Sequence, residues 1–245
     1  MVRKIDNLIE ELDAWLRFHK QMGLDALPAT PGIEAFLSDS HESLNDAEKG
    51  KLTGIPDSLE ALLEETKSCT RCRLYKSRHS VVFGEGPADA KLMLIGEAPG
   101  KEEDLTGRPF VGASGQLLTK MLKAIEIDRK EVFITSILKC RPPRNRAPKA
   151  DEIRSCMPIL MAQIKLIRPR LILALGTVAA QNLLQTNEGL KKLRGRFHSL
   201  DGIKLLVTYH PAYILRFAGT KQKALKLEAW NDLQLLQKEY SKLLD

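Results

Sequence analysis

Two patterns of apolar residues alternate along the chain. Short continuous runs stand at residues 91–97 (KLMLIGE), 131–138 (EVFITSIL), 170–176 (RLILALG) and 203–211 (IKLLVTYHP). A run of that length predicts a strand covered on both faces, as in a parallel sheet. Elsewhere, at 114–127, 151–167, 177–185 and 222–244, apolar positions recur every three or four residues. That spacing builds one face of a helix. A further helical stretch, residues 58–69 (SLEALLEETKSC), opens with Ser58 as its expected N-cap. The alternation predicts an α/β fold, a three-layer sandwich around a central, mostly parallel four-stranded sheet.

Ahead of this core, Ile5, Leu8, Ile9, Leu12, Trp15 and Leu16 fall at helical spacing, and residues 23–57 then turn to Pro, Gly, Ser and acids. The expected division is an N-terminal helix and linker extension, residues 1–57, followed by a catalytic domain, residues 58–245. The extension either packs on the core or recruits a protein partner. The last helix has too short an apolar repeat for an oligomer seam, so a monomer is expected.

In such sheets ligands bind beyond the carboxyl ends of the strands. The chemically interesting residues gather there: GEAPG after the first run, SILKC at the second, GT after the third and HPAY after the fourth. No G-x-G-x-x-G follows a strand and no G-x-x-x-x-G-K-[ST] is present, which sets dinucleotide and nucleoside-triphosphate chemistry aside.

Lys and Arg number 38 against 31 Asp and Glu, a net charge of +7 with a pI near 9.2. The excess suits a polyanionic partner, nucleic acid first, although charge alone does not separate this from a merely basic soluble protein. No apolar run approaches a membrane span, and the acid-bearing N-terminus is neither a secretory h-region nor a transit peptide. A cytoplasmic location is expected, where four cysteines are buried thiols or metal ligands rather than disulfides.

Cys69 and Cys72 form a C-x-x-C pair in a polar stretch, and Cys140 and Cys156 complete the set. Four thiolates suit either tetrahedral zinc or a [4Fe–4S] cluster, and spacing does not choose between them. Cys140 also sits at the base of the most basic loop, KCRPPRNRAP. Anchoring it there would pre-organise Arg141, Arg144, Arg146 and Lys149 as a phosphate-binding edge. In the glycine-rich segment after the first strand, Gly96 and Gly100 would permit close approach to a flat ligand. Phe110 offers a stacking face there, and the GASGQ turn places Ser114 at a helix N-terminus suited to phosphate. His210 follows a buried strand, where it either caps the turn or donates to a carbonyl or a developing negative charge.

GEAPGKEEDLTGRPFVG, KCRPPRNRAP and HPAYILR, in this order and with the four cysteines, resemble the iron–sulfur (family 4) uracil-DNA glycosylases, over roughly residues 60–240. That resemblance implies hydrolysis of the N-glycosidic bond of a uracil flipped out of DNA, leaving an abasic site. By the same resemblance Glu97 and Ala98 line the base pocket, Phe110 stacks on the base, and His210 contacts the pyrimidine O2. Cys69, Cys72, Cys140 and Cys156 hold a [4Fe–4S] cluster, and Tyr213 and Arg216 sit on the loop that probes the duplex. A sister family places an aspartate where this chain has Ala98, so Glu103 or Asp104 is expected to position the water.

The sequence departs from the family at Ser136, where Asn is usual. A hydroxyl cannot enforce the paired donor–acceptor pattern with which an amide separates uracil from cytosine. Weaker uracil excision with looser base choice is one outcome, and acceptance of a bulkier modified pyrimidine, as in foreign DNA, is another. The third is a DNA-binding or damage-sensing module without excision. Lys191, Lys192, Arg194 and Arg196 either extend the DNA track or form a solvated face.

Overall fold

A computed structural model describes residues 56–244 of the chain. The N-terminal helix expected near residues 5–16, and nearly all of the extension, lie outside the described residues. Helix α1 (Leu59–Lys67) starts where Ser58 Oγ accepts the Ala61 N–H at 3.1 Å. The strands are β1 (Leu92–Gly96), β2 (Phe133–Ser136), β3 (Leu171–Leu175), β4 (Phe197–Leu200) and β5 (Ile203–Thr208). Helices α2 (Lys101–Thr106) and α3 (Ala113–Ala124) lie between β1 and β2, and α4 (Ala150–Ile167) joins β2 to β3. Helices α5 (Thr177–Leu184) and α6 (Leu190–Leu193) follow β3, while α7 (Pro211–Leu215) and α8 (Gly219–Ser241) follow β5.

The sheet runs β2-β1-β3-β5-β4, with β1, β2, β3 and β5 parallel. The four expected strands are present, and β4 is a fifth, antiparallel edge strand. It is short and only partly buried, so it carries no continuous apolar run. Its signal was the Asp201–Gly202 pair, whose positive φ angles of 48° and 84° close a two-residue hairpin.

Alternate residues of β1 serve opposite layers. Met93 and Ile95 join one core with Leu62 of α1, Leu160 of α4 and Ala180 of α5. Leu92 and Leu94 join the other with Leu118 of α3 and Leu233 of α8. All four strand residues are fully buried, which is why these runs show no polar alternation. Truncating one such Leu to Ala typically costs about 2–5 kcal/mol. The parallel register sets Gly96 beside Ser136, and β3 pairs Leu175 with Thr208, so the strands finish at one edge. Among the described residues no helix is long and apolar enough to cross a membrane.

Candidate active site and thiol cavity

The chain crosses that edge at three close approaches. A Cβ on Gly96 would meet the Phe110 ring at 2.6 Å, and one on Gly115 would meet the Phe110 carbonyl at 1.8 Å. Gly176, at φ +87°, would press a Cβ against that of His210 at 2.9 Å. The glycine after β1 therefore makes room for an aromatic ring rather than directly for a ligand. Gly100 likewise makes room for a Glu103 carboxylate oxygen, 2.7 Å from where its Cβ would be. Phe110 itself is held at φ +50°, a rare conformation for a bulky residue. Its ring stacks beside His210, with centroids 5.6 Å apart and planes 29° from parallel.

Phe110 and His210 line one cleft together with Glu97, Ala98, Ser136 and Arg216. Ser114, Tyr213, Arg146 and Lys191 also reach its wall. His210 is the N-cap of α7, where its Nδ1 accepts the Ala212 N–H at 3.1 Å. The ring proton therefore belongs on Nε2. Loss of surrounding water, with Arg216 nearby, lowers the His210 pKa to about 4, so the ring is neutral at pH 7. Glu97 is partly buried, and among the described residues nothing hydrogen-bonds its carboxylate. Burial raises its pKa above the ordinary carboxylate value, opposed by Arg216.

Glu103 and Asp104, expected to position water, are already committed to the backbone. Glu103 Oε1 accepts the Val111 and Gly112 N–H groups, both at 2.9 Å, and Oε2 accepts that of Gly100 at 3.1 Å. This carboxylate staples the loop that presents Phe110. Asp104 Oδ1 accepts the His79 and Ser80 N–H groups at 2.9 and 3.3 Å and does not line the cleft. The carboxylate without such partners is Glu97. Arg129, which carried no sequence signal, adds a second brace by donating from Nη2 to the Pro109 carbonyl at 2.7 Å.

The basic positions divide. Arg144 and Lys149 are exposed on the loop after β2. Arg141 donates to Asn145 Oδ1 at 2.7 Å. Arg146 is not free to serve phosphate alone, because both its terminal nitrogens hold the fully buried Glu152. Arg194 is an internal brace rather than part of a DNA track: it pairs with Asp232 and Glu228 and lies over the Tyr209 ring at 4.8 Å. Lys191, Lys192 and Arg196 are exposed.

On the other side of the β2 end, Cys69, Cys72, Cys140 and Cys156 all border one cavity, and all four are unpaired by disulfides. The Lys139 N–H points to Cys156 Sγ at 3.3 Å, and Arg78 Nη1 to Cys140 Sγ at 3.4 Å. Burial raises the Cys72 and Cys140 thiols and pushes Cys156 up to about 12. Among the described residues no three Cys, His, Asp or Glu side chains are gathered as a single metal ion needs them. Four thiols border one cavity, two of them, Cys140 and Cys156, receiving N–H donors, a donor set that suits a sulfur-ligated centre.

Between the cavity and the cleft lies Lys139, 1% exposed. Its Nζ donates to Thr135 Oγ1 (2.6 Å), Gln163 Oε1 (2.6 Å) and the Ser136 carbonyl (2.8 Å). Three acceptors satisfy the ammonium, and burial lowers its pKa to about 7. The lysine fixes the backbone from which Ser136 faces the cleft.

The family model described as Uracil DNA glycosylase superfamily matches residues 83–234. A Type-4 uracil-DNA glycosylase of Saccharolobus solfataricus is 45% identical over 168 residues, covering 65% of this chain and 78% of that protein. The Type-4 uracil-DNA glycosylase of Pyrobaculum aerophilum is 42% identical over 185 residues, 72% of this chain and 92% of that protein. That of Thermotoga maritima is 42% identical over 172 residues, 69% of this chain and 90% of that protein. The family model covers the strand ends that border the cleft and two of the four cysteines, Cys140 and Cys156, and the chain belongs to the type-4 uracil-DNA glycosylases.

Proposed function

We propose that this chain is a monofunctional, monomeric and cytoplasmic DNA glycosylase that hydrolyses the bond between deoxyribose and uracil, or a related pyrimidine, leaving an abasic site. The observation that carries the reading is one cleft walled by the Phe110 ring, the neutral His210 and the unpartnered Glu97 carboxylate. Extruding the nucleotide costs a few kcal/mol, less at a U·G mismatch than at a U·A pair. Phe110 then stacks on the base, and the proton on His210 Nε2 faces its O2. The C1′–N1 bond breaks with its electron pair left on the base, where the His210 donor stabilises the anion. Water adds its oxygen to C1′ and passes a proton to Glu97, which replaces Glu103 and Asp104 in that role because its oxygens are free.

The groove beside the cleft is lined by Lys101, Ser114 and Arg216 next to the N-terminus of α3, with Glu102 and the backbone-bound Glu103 also on its wall. Its cations and amides would take a backbone phosphate. Arg144 and Lys149 extend the positive edge. The four cysteines would hold a [4Fe–4S] cluster, whose contribution is to brace the segments that carry them. Ser136 leaves a hydroxyl where an amide is usual, which favours weaker discrimination among pyrimidines.

The test is an excision assay on duplexes carrying uracil, hypoxanthine, xanthine and bulky modified cytosines. Uracil release with reduced selectivity is expected, and Ser136→Asn should raise uracil excision. Tight binding without release of any base would reject catalysis and leave a damage-sensing module.

A further inference from the structure

The thiol cavity has charged walls as well as cysteines. Arg71, between the two cysteines of the C-x-x-C pair, borders it, and so does Arg78. The Arg71 side chain is only 11% exposed. Its Nη2 donates to Glu65 Oε1 at 2.6 Å, but its Nη1 is closed off from solvent and has no hydrogen-bond partner among the described residues. Arg78 is fixed by the Lys67 and Cys69 carbonyls at 3.1 and 2.7 Å, and from there reaches Cys140 Sγ. A buried guanidinium N–H without an acceptor is costly and rare in native proteins. Here it borders a cavity whose donor set, once ionised, is strongly negative. Buried negative charge requires compensation by cations or N–H donors.

We propose that Arg71, together with Arg78 on the same cavity wall, is the charge partner of the sulfur-ligated centre: Arg71 Nη1 donates to one of its sulfurs, and the pair controls how tightly the centre is held and its reduction potential. The inference rests on the [4Fe–4S] reading of the four cysteines. Positive donors favour the more negative, reduced form of such a centre, so they raise its potential. Cysteine ligation sets the identity of the centre, and the arginine pair sets its retention and redox poise.

The experiment compares the full chain, purified without oxygen, with Arg71→Met, Arg71→Lys and the neighbouring Arg73→Gln. Arg73 is an exposed residue that pairs with Asp151 and does not border the cavity. Iron and acid-labile sulfide per chain, the rate of iron loss to a chelator, and the midpoint potential by voltammetry are measured, with circular dichroism to check the fold. Arg73→Gln should match the parent. Arg71→Met should lose iron several-fold faster and show a lower midpoint, and Arg71→Lys should fall between the two. If Arg71→Met does not fold, the Arg71→Lys shift carries the test. A folded Arg71 variant with the parent's potential and iron retention overturns the inference. Absence of iron and sulfide from the parent chain overturns the cluster reading itself, a separate result.

Discussion

Glu97 and His210 face the same cleft, yet their surroundings push them toward different tasks. Burial raises the carboxyl of Glu97, while burial and Arg216 hold His210 down at about 4. A base must be ionised, so activity that depends on Glu97 disappears as pH falls through its raised pKa. The imidazole is still neutral there and takes its proton only at lower pH. The acid limb of kcat/KM is therefore expected to report Glu97 and not His210. In Glu97→Gln the rate should fall on the order of 100-fold and the acid limb should flatten. Single-turnover uracil release across a pH series measures both, and an unaltered limb in this variant removes Glu97 as the base. Glu103→Gln should behave differently. It weakens the clamp on the Gly100, Val111 and Gly112 amides, so about 1–3 kcal/mol of stability should be lost in urea unfolding while the acid limb stays in place.

At the level of elements, the loop between β2 and α4 shows how charge that looks uniform in sequence separates into two roles. Arg146 is tied to the buried Glu152, which also accepts the Lys149 N–H at 2.9 Å and so secures the start of α4. Arg144, at φ 55°, is exposed. Arg144→Gln should leave thermal stability unchanged and reduce the slope of log binding against log salt by about 1. Arg146→Gln should lower stability, because it strands a buried carboxylate. Salt titrations of DNA binding alongside melting curves separate the two, and equal salt slopes would refute the division. The same contrast explains what could be read in advance. The four buried strands were legible because each is apolar on both faces, and α1 because Ser58 caps it. Helix α2 was not, since its acid-rich residues look like loop until Glu103 and the left-handed Gly107 close its two ends. Glu97, Ser136 and His210 could be placed together because they sit at strand ends, which topology brings to one edge. Phe110, in the loop between α2 and α3, was joined to them through the motif resemblance. The fixed employment of Glu103, Asp104 and Arg194 was hidden, because it depends on backbone amides and a distant helix that sequence spacing does not reveal.

Across the whole molecule, the cleft and the thiol cavity depend on different supports. The cleft rests on β1 and β5, strands whose side chains fill both cores. The four cysteines instead join the segment after α1, the end of β2 and the middle of α4, segments otherwise linked by α1–α4 packing and by Arg78. Without a bound centre, burial favours the neutral thiols, Cys156 above all with its pKa near 12, and neutral thiols do not tie these segments electrostatically. Removing iron and sulfide from the holoprotein should therefore loosen residues 68–80 and 139–149 while the sheet stays protected. Hydrogen exchange read by mass spectrometry should show faster exchange in those two segments and little change in β1 and β3. Since the second segment carries the exposed Arg144 and Lys149, the proposed positive edge for DNA, but not Phe110 or His210, KM for uracil-containing duplex should rise more than kcat falls. Exchange accelerated evenly through the sheet would instead make the centre part of the global fold, and unchanged exchange in both segments would deny it any bracing role.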